Sequence, residues 1–123
     1  MLLTLRTNGA RATDAHPALS AAPETLAADS AASVEKGAAE VHVHPKDAVG
    51  RDSFRGEDLS RWLRAFRSTC PQVPLWVTTG AWAAGGAQER LSQVRRWSEL
   101  PNLASLNWHE EGAEELAVLL IER

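Results

Sequence analysis

Apolar positions gather in four short runs, residues 2–7, 39–44, 73–79 and 103–108. A polar or Gly-containing loop follows each run, and then a stretch with helical spacing. After the first run, Pro23 stands where a helix would begin. Leu26, Ala27, Ser30, Ala31 and Val34 then mark a narrow face of mostly small residues, and Gly37 supplies the stop. After the second run, Asp58 is placed to cap a helix whose Leu59, Trp62, Leu63 and Phe66 fall at i, i+3, i+4 and i+7, closed by Pro71. The third run leads into residues 88–99, where Leu91, Val94 and Trp97 share one side and Arg90, Arg95 and Arg96 are expected to face solvent. The fourth precedes residues 110–122, with Ala113, Leu116, Ala117 and Leu120 repeating the pattern. The pattern predicts βα four times over, with helices long enough to serve as right-handed crossovers between parallel strands.

The 123 residues allow one domain, residues 1–123, with a modest core. A formal net charge of -3 argues against a partner with a phosphate backbone. Arg61, Arg64 and Arg67 lie at helical spacing beside acidic neighbours and read as a solvated face. The single cysteine, Cys70, has no internal disulfide partner. The apolar run at the N-terminus is broken by Arg6 before it reaches the length of a signal peptide or membrane span. These features predict a soluble cytoplasmic protein that binds neither nucleic acid nor membrane.

Parallel βα units build either an open doubly wound sheet or a closed barrel. A nucleotide-binding open sheet calls for a Gly-rich phosphate turn after its first strand, and Asn8-Gly9-Ala10-Arg11 offers one glycine and no G-x-G-x-x-G. A barrel instead gathers polar residues at the C-terminal ends of its strands. They stand here at every strand end: Asn8, His42 with His44, Thr78 with Thr79, and Ser105 with Asn107. A full barrel takes about 250 residues. The expected fold is therefore α/β, four consecutive βα units forming half of a (β/α)8 TIM barrel with parallel strands.

His42 and His44, one residue apart in a strand, point to the same face, while Val41 and Val43 pack the other way. Two neutral imidazoles side by side suit a divalent metal such as zinc. Taken alone, H-x-H fits equally a pair of structural or substrate-binding histidines. Glu40 shares their face, and a buried carboxylate calls for a cationic partner, so an Arg6–Glu40 pair is expected across the first two strands.

The stretch Gly37-Ala38-Ala39-Glu40-Val41-His42-Val43-His44-Pro45-Lys46-Asp47, followed by Gly50-Arg51, resembles the second strand of the β-keto acid cleavage enzymes, also known through their 3-keto-5-aminohexanoate cleavage member. The likeness continues at Asn8-Gly9-Ala10-Arg11, His16-Pro17-Ala18-Leu19, Pro23-Glu24, Thr78-Thr79-Gly80, Glu89-Arg90-Leu91 and Ala104-Ser105-Leu106-Asn107, in order along essentially the whole chain.

That resemblance implies a (β/α)8 barrel with a divalent metal, usually zinc, that cleaves a β-keto acid with acetyl-CoA to give acetoacetate and a new acyl-CoA. By the same likeness, His42 and His44 match the family's two histidine ligands, and Thr78 and Ser105 match hydroxyl positions for substrate oxygens. Asn8 and Asn107 are placed as substrate contacts by their strand-end positions. His109 and Glu110 are expected to serve the start of the last helix. Arg11 stands where the family's best-described member has a glutamate facing the substrate's amino group, which suggests an anionic or neutral substrate tail. Lys46 replaces an arginine common after the histidines, keeping charge but losing the bidentate fork. The family's third ligand, a carboxylate, and its acid–base residues come from strands later than Arg123, so no catalytic residue is assigned. The resemblance thus leaves three readings: a metal-dependent lyase represented by its N-terminal half, a metal hydrolase with an H-x-H site, or a truncated half-barrel without catalysis. Its completion is expected from a second copy or from a C-terminal half.

Overall fold

The computed structural model describes residues 1–123. Strands β1 (Thr4–Arg6), β2 (Glu40–Val43), β3 (Leu75–Thr78) and β4 (Leu103–Ser105) alternate with helices α1 (Pro23–Glu35), α2 (Gly56–Thr69), α3 (Ala87–Arg95) and α4 (Ala113–Ile121). Short 3-10 turns stand at Thr13–Ala15 and Ala81–Ala83. The sheet order is β1-β2-β3-β4, and every pairing is parallel. Four βα units in this order form half of an α/β barrel, as the hydrophobic pattern predicts. No helix is long and apolar enough to cross a membrane.

One face of the sheet is the core. Val41, Val43, Leu75 and Val77 join Leu26 and Ala27 of α1, Leu59, Trp62, Leu63 and Phe66 of α2, Leu91 and Val94 of α3, and Leu116 and Leu119 of α4 in a single buried cluster. The helices therefore all cover the same side. The alternation of a strand sends the intervening residues to the other face. In register across it stand Thr4 and Glu40, then Arg6, His42, Trp76 and Leu103, then Thr78 and Ser105.

The helix starts follow local chemistry. Pro23 occupies the first turn of α1, where its missing N–H costs nothing, and Gly37 takes a φ of +107° just beyond the helix end. Asp58 is not the cap of α2. The helix begins at Gly56, which puts Asp58 inside the first turn, where its carboxylate accepts from Ser53 Oγ at 2.7 Å and favours the positive helix end. Nor do His109 and Glu110 start α4, whose first residue is Ala113 and whose cap is Gly112.

Arg90 departs furthest from its expected place. It is 1% exposed, pairs with Glu110, and donates from Nη1 to the Thr79 carbonyl at 3.1 Å. It lies early in α3, next to the loops that leave β3 and β4, whose buried carbonyls need donors. Helical spacing located its neighbours Leu91 and Val94 correctly but carried no information about this polar demand.

The expected Arg6–Glu40 pair does not form. The register sets Thr4 opposite Glu40 and Arg6 opposite His42, one full pleat further along. Thr4 Oγ1 donates to Glu40 Oε2 at 2.8 Å, and Glu40 is only half-buried, so a hydroxyl and solvent satisfy it.

Candidate functional site

The site stands at the C-terminal end of β2. His42 is buried and His44 half-buried on the sheet face opposite the helices. Their rings adjoin, with centroids 5.4 Å apart and planes tilted by 39°. The basis of this placement is local: alternating Val41 and Val43 are fully buried against the helices, which fixes the histidines on the other side.

His42 is held neutral. Burial lowers its pKa from 6.5 to about 4, assisted by the proximity of His44 and of the Arg6 guanidinium. Desolvation and like charge both disfavour the imidazolium. A neutral imidazole is the form that ligates a metal. Ser105 Oγ lies 3.5 Å from His42 Nε2 and 3.4 Å from the Val77 carbonyl, which places a hydroxyl beside the His42 ring.

His44 is fixed through its backbone by Asn8. Asn8 Nδ2 donates to the His44 carbonyl at 2.8 Å, and the His44 N–H donates to Asn8 Oδ1 at 2.9 Å. The carboxamide thereby substitutes for a strand neighbour where the β1–β2 ladder ends. Asn8 is 5% exposed, and its amide is spent on this clamp.

A loop hairpin follows His44 and returns beside it. Asp47 Oδ1 accepts from the N–H groups of Val49 and Arg51, Gly50 takes a φ of +85°, and the chain returns so that Lys46 and Asp52 stand opposite one another. Lys46 Nζ, 2% exposed as a side chain, donates to Asp52 Oδ1 at 2.8 Å and to the carbonyls of Gly9 and Arg11 at 3.0 and 3.1 Å. Asp52 Oδ2 accepts from Trp82 Nε1 at 2.9 Å, and the Trp82 ring stacks on His44 at 5.9 Å. Burial alone would raise the Asp52 pKa, but contacts with His44, Lys46 and Trp82 outweigh it and hold the carboxyl below its ordinary value.

The remaining strand-end residues divide. Thr78 is 3% exposed and its Oγ1 accepts from the Gly80 N–H at 3.3 Å, while Thr79 Oγ1 donates to the Ser105 carbonyl at 2.6 Å. Asn107 Nδ2 donates to Glu110 Oε1 at 2.8 Å and thereby joins the Arg90 network. Arg11 does not join the histidines. Its side chain lines a cleft of about 330 Å³ beside β1 with Arg6, His16 and Asp29. Asp52 and Trp82 escaped the sequence reading. The Asp47–Gly50 turn was the available signal, because a turn there must bring Asp52 back beside Lys46.

The two histidines suit a zinc-like ion as a pair of nitrogen ligands. Their rings adjoin on one sheet face, and His42 is kept neutral. No third His, Cys, Asp or Glu completes a metal-holding group with them. A family model described as beta-keto acid cleavage enzyme matches residues 1–114. The ordered strand-end motifs, the parallel βα topology and that match over most of the chain agree, and the chain belongs to the beta-keto acid cleavage enzyme family.

Proposed function

We propose that this chain carries the metal-binding half of a β-keto acid cleavage site, in which the acetyl group of acetyl-CoA passes to the carboxymethyl fragment of the keto acid to give acetoacetate, and the keto acid's acyl group leaves on the CoA sulfur as a new acyl-CoA. The observation that carries the proposal is the adjoining pair His42 and His44 at the mouth of β2, with the Ser105 hydroxyl beside it. His42 and His44 would hold the divalent metal, most consistently zinc given two imidazole donors. When bound, such an ion supplies Lewis acidity toward a keto oxygen.

The chain's own residues prepare that place. Burial keeps His42 unprotonated at neutral pH, so its nitrogen lone pair is available. Asn8 fixes the His44 backbone, and Trp82 shields one face of the His44 ring. Ser105 and Thr78 present hydroxyls on the same sheet face and would hydrogen-bond the keto or carboxylate oxygens of a small β-keto acid. Asn107 would brace the rim through Glu110. Arg11, at the neighbouring cleft, would favour an anionic or neutral substrate tail over an amine.

The test is product analysis by mass spectrometry. Zinc-loaded protein is incubated with acetyl-CoA and a panel of β-keto acids, and acetoacetate with a new acyl-CoA is the expected outcome. Hydrolysis products without acyl transfer would assign the site to metal-dependent hydrolysis instead. Absence of any turnover, with zinc bound, would make this chain a metal-binding half without catalysis of its own.

A further inference from the structure

His44 presents an unmatched nitrogen to a carboxylate that is itself firmly held. His44 Nδ1 is buried with no hydrogen-bond partner, and Asp52 Oδ1 stands 3.7 Å from it. That separation exceeds the usual N–H···O distance by about 0.7 Å. Asp52 has little freedom of its own, being anchored by Lys46 Nζ on one oxygen and Trp82 Nε1 on the other. Trp82 also stacks on the His44 ring, so the same residue limits both the carboxylate and the imidazole plane.

We propose that Asp52 is a positioning residue for His44, taking the Nδ1–H of the ring and thereby leaving Nε2 as the nitrogen that faces a metal. The inference rests on the metal-binding reading of His42 and His44 given above. Its physical basis is the two-nitrogen logic of imidazole: whichever nitrogen is tied to an acceptor carries the proton, and the other keeps the lone pair. Lys46 and Trp82 each occupy one lone pair of the Asp52 carboxylate, and Oδ1 keeps a second lone pair for the ring N–H. Lys46 and Trp82 act one step further out. They hold the acceptor where a modest ring rotation completes the bond.

Two measurements on the full chain test this. The first uses nitrogen-15 NMR on the metal-free protein at a pH where histidine is neutral, and reads the His44 tautomer. The expected result is the Nδ1–H form in the unaltered protein and a mixed population in Asp52→Asn. An Nε2–H form in the unaltered protein would overturn the proposal whatever the variants do.

The second is calorimetric titration with Zn²⁺ alone. Loss of a partner that orients a metal-bound histidine typically weakens affinity 10–100-fold, and that range is expected for Asp52→Asn. Because Asp52→Asn also leaves Lys46 without its counter-charge, Trp82→Phe serves as a milder variant that keeps the ring stack but removes one anchor of Asp52. A smaller loss of affinity is expected there. Unchanged zinc affinity in both variants would overturn the proposal. Failure of the unaltered protein to bind zinc, with the His44 tautomer still set by Asp52, would instead contradict the metal-binding reading on which it rests.

Discussion

The Asn8 carboxamide grips the His44 peptide from both sides, donating to its carbonyl at 2.8 Å and accepting from its N–H at 2.9 Å. This side chain continues the β1–β2 ladder one step past the point where the strands themselves stop. Asn8→Ala would leave two backbone groups at the site without partners. Each buried group stripped of its hydrogen bond costs about 1–3 kcal/mol. We expect Asn8→Ala to lower unfolding free energy by about 2–4 kcal/mol in urea denaturation, and Asn8→Asp, which keeps only the acceptor, to lose part of that. A change within error of zero for Asn8→Ala would show that the clamp contributes nothing.

Arg90 and Glu110 tie the loops after β3 and β4 to α3. Truncating one member of a buried pair leaves the other uncompensated, at roughly 3–5 kcal/mol. Arg90→Met should therefore destabilise by about that amount, and Arg90→Lys should recover only part, because an ammonium cannot reproduce the guanidinium fork. Burial alone would raise the Glu110 pKa, but Asn107, Arg90 and the Ala81 N–H outweigh it and lower the value. The pair's contribution is then present above the ordinary carboxylate range and fades as pH falls through the lowered pKa. Equal stability of Arg90→Met and the unaltered protein at neutral pH would contradict this.

His42 predicts a pH dependence of the opposite origin. Its pKa is about 4 when folded against 6.5 for the free side chain, chiefly through burial, with His44 and Arg6 adding to it. Between these values the unfolded chain binds the proton and the folded one does not, so stability rises with pH across that window. At the acid end the penalty is on the order of 3 kcal/mol. Above pH 6.5 the group contributes no slope. In the metal-free protein, His42→Asn should flatten the stability profile between pH 4 and 6.5, as measured by chemical denaturation at several pH values. A slope that survives the substitution unchanged would assign the effect to other groups.

Gly80 lies under the Trp82 ring, and a Cβ built there would meet ring atoms at 2.0 Å. Gly80→Ala should therefore expel Trp82 from its stack on His44 while leaving the core untouched. Tryptophan fluorescence would report greater solvent exposure, and the tautomer balance of His44 would shift toward the mixed population expected of Asp52→Asn. An unaltered emission spectrum would mean that the ring accommodates the methyl group without leaving.

The alternation of Val41 and Val43 with His42 and His44 was sufficient to read the second strand and the shared face of the histidines. The i, i+3, i+4, i+7 set Leu59, Trp62, Leu63 and Phe66 likewise located α2, because burial of large apolar groups dominates both patterns. Polar partners were another matter. Arg90 looks like any helical arginine, and only the fold brings the Thr79 carbonyl and Glu110 to it. Arg6 and Glu40 were matched by charge, but pairing depends on a register that composition does not encode. Asp52 reaches His44 through a turn built by Asp47 and Gly50, and its alignment with Trp82 depends on a loop more than two dozen residues away, as the separation of 30 positions records.

Whether His42 and His44 hold one metal ion together is read by zinc K-edge X-ray absorption on zinc-loaded protein. Two imidazole ligands per zinc at about 2.0–2.1 Å are expected, with the remaining positions filled by oxygen, together with loss of the bound zinc in the double variant His42→Ala, His44→Ala. A spectrum with no imidazole scattering, or one that persists unchanged in the double variant, would contradict a shared metal site.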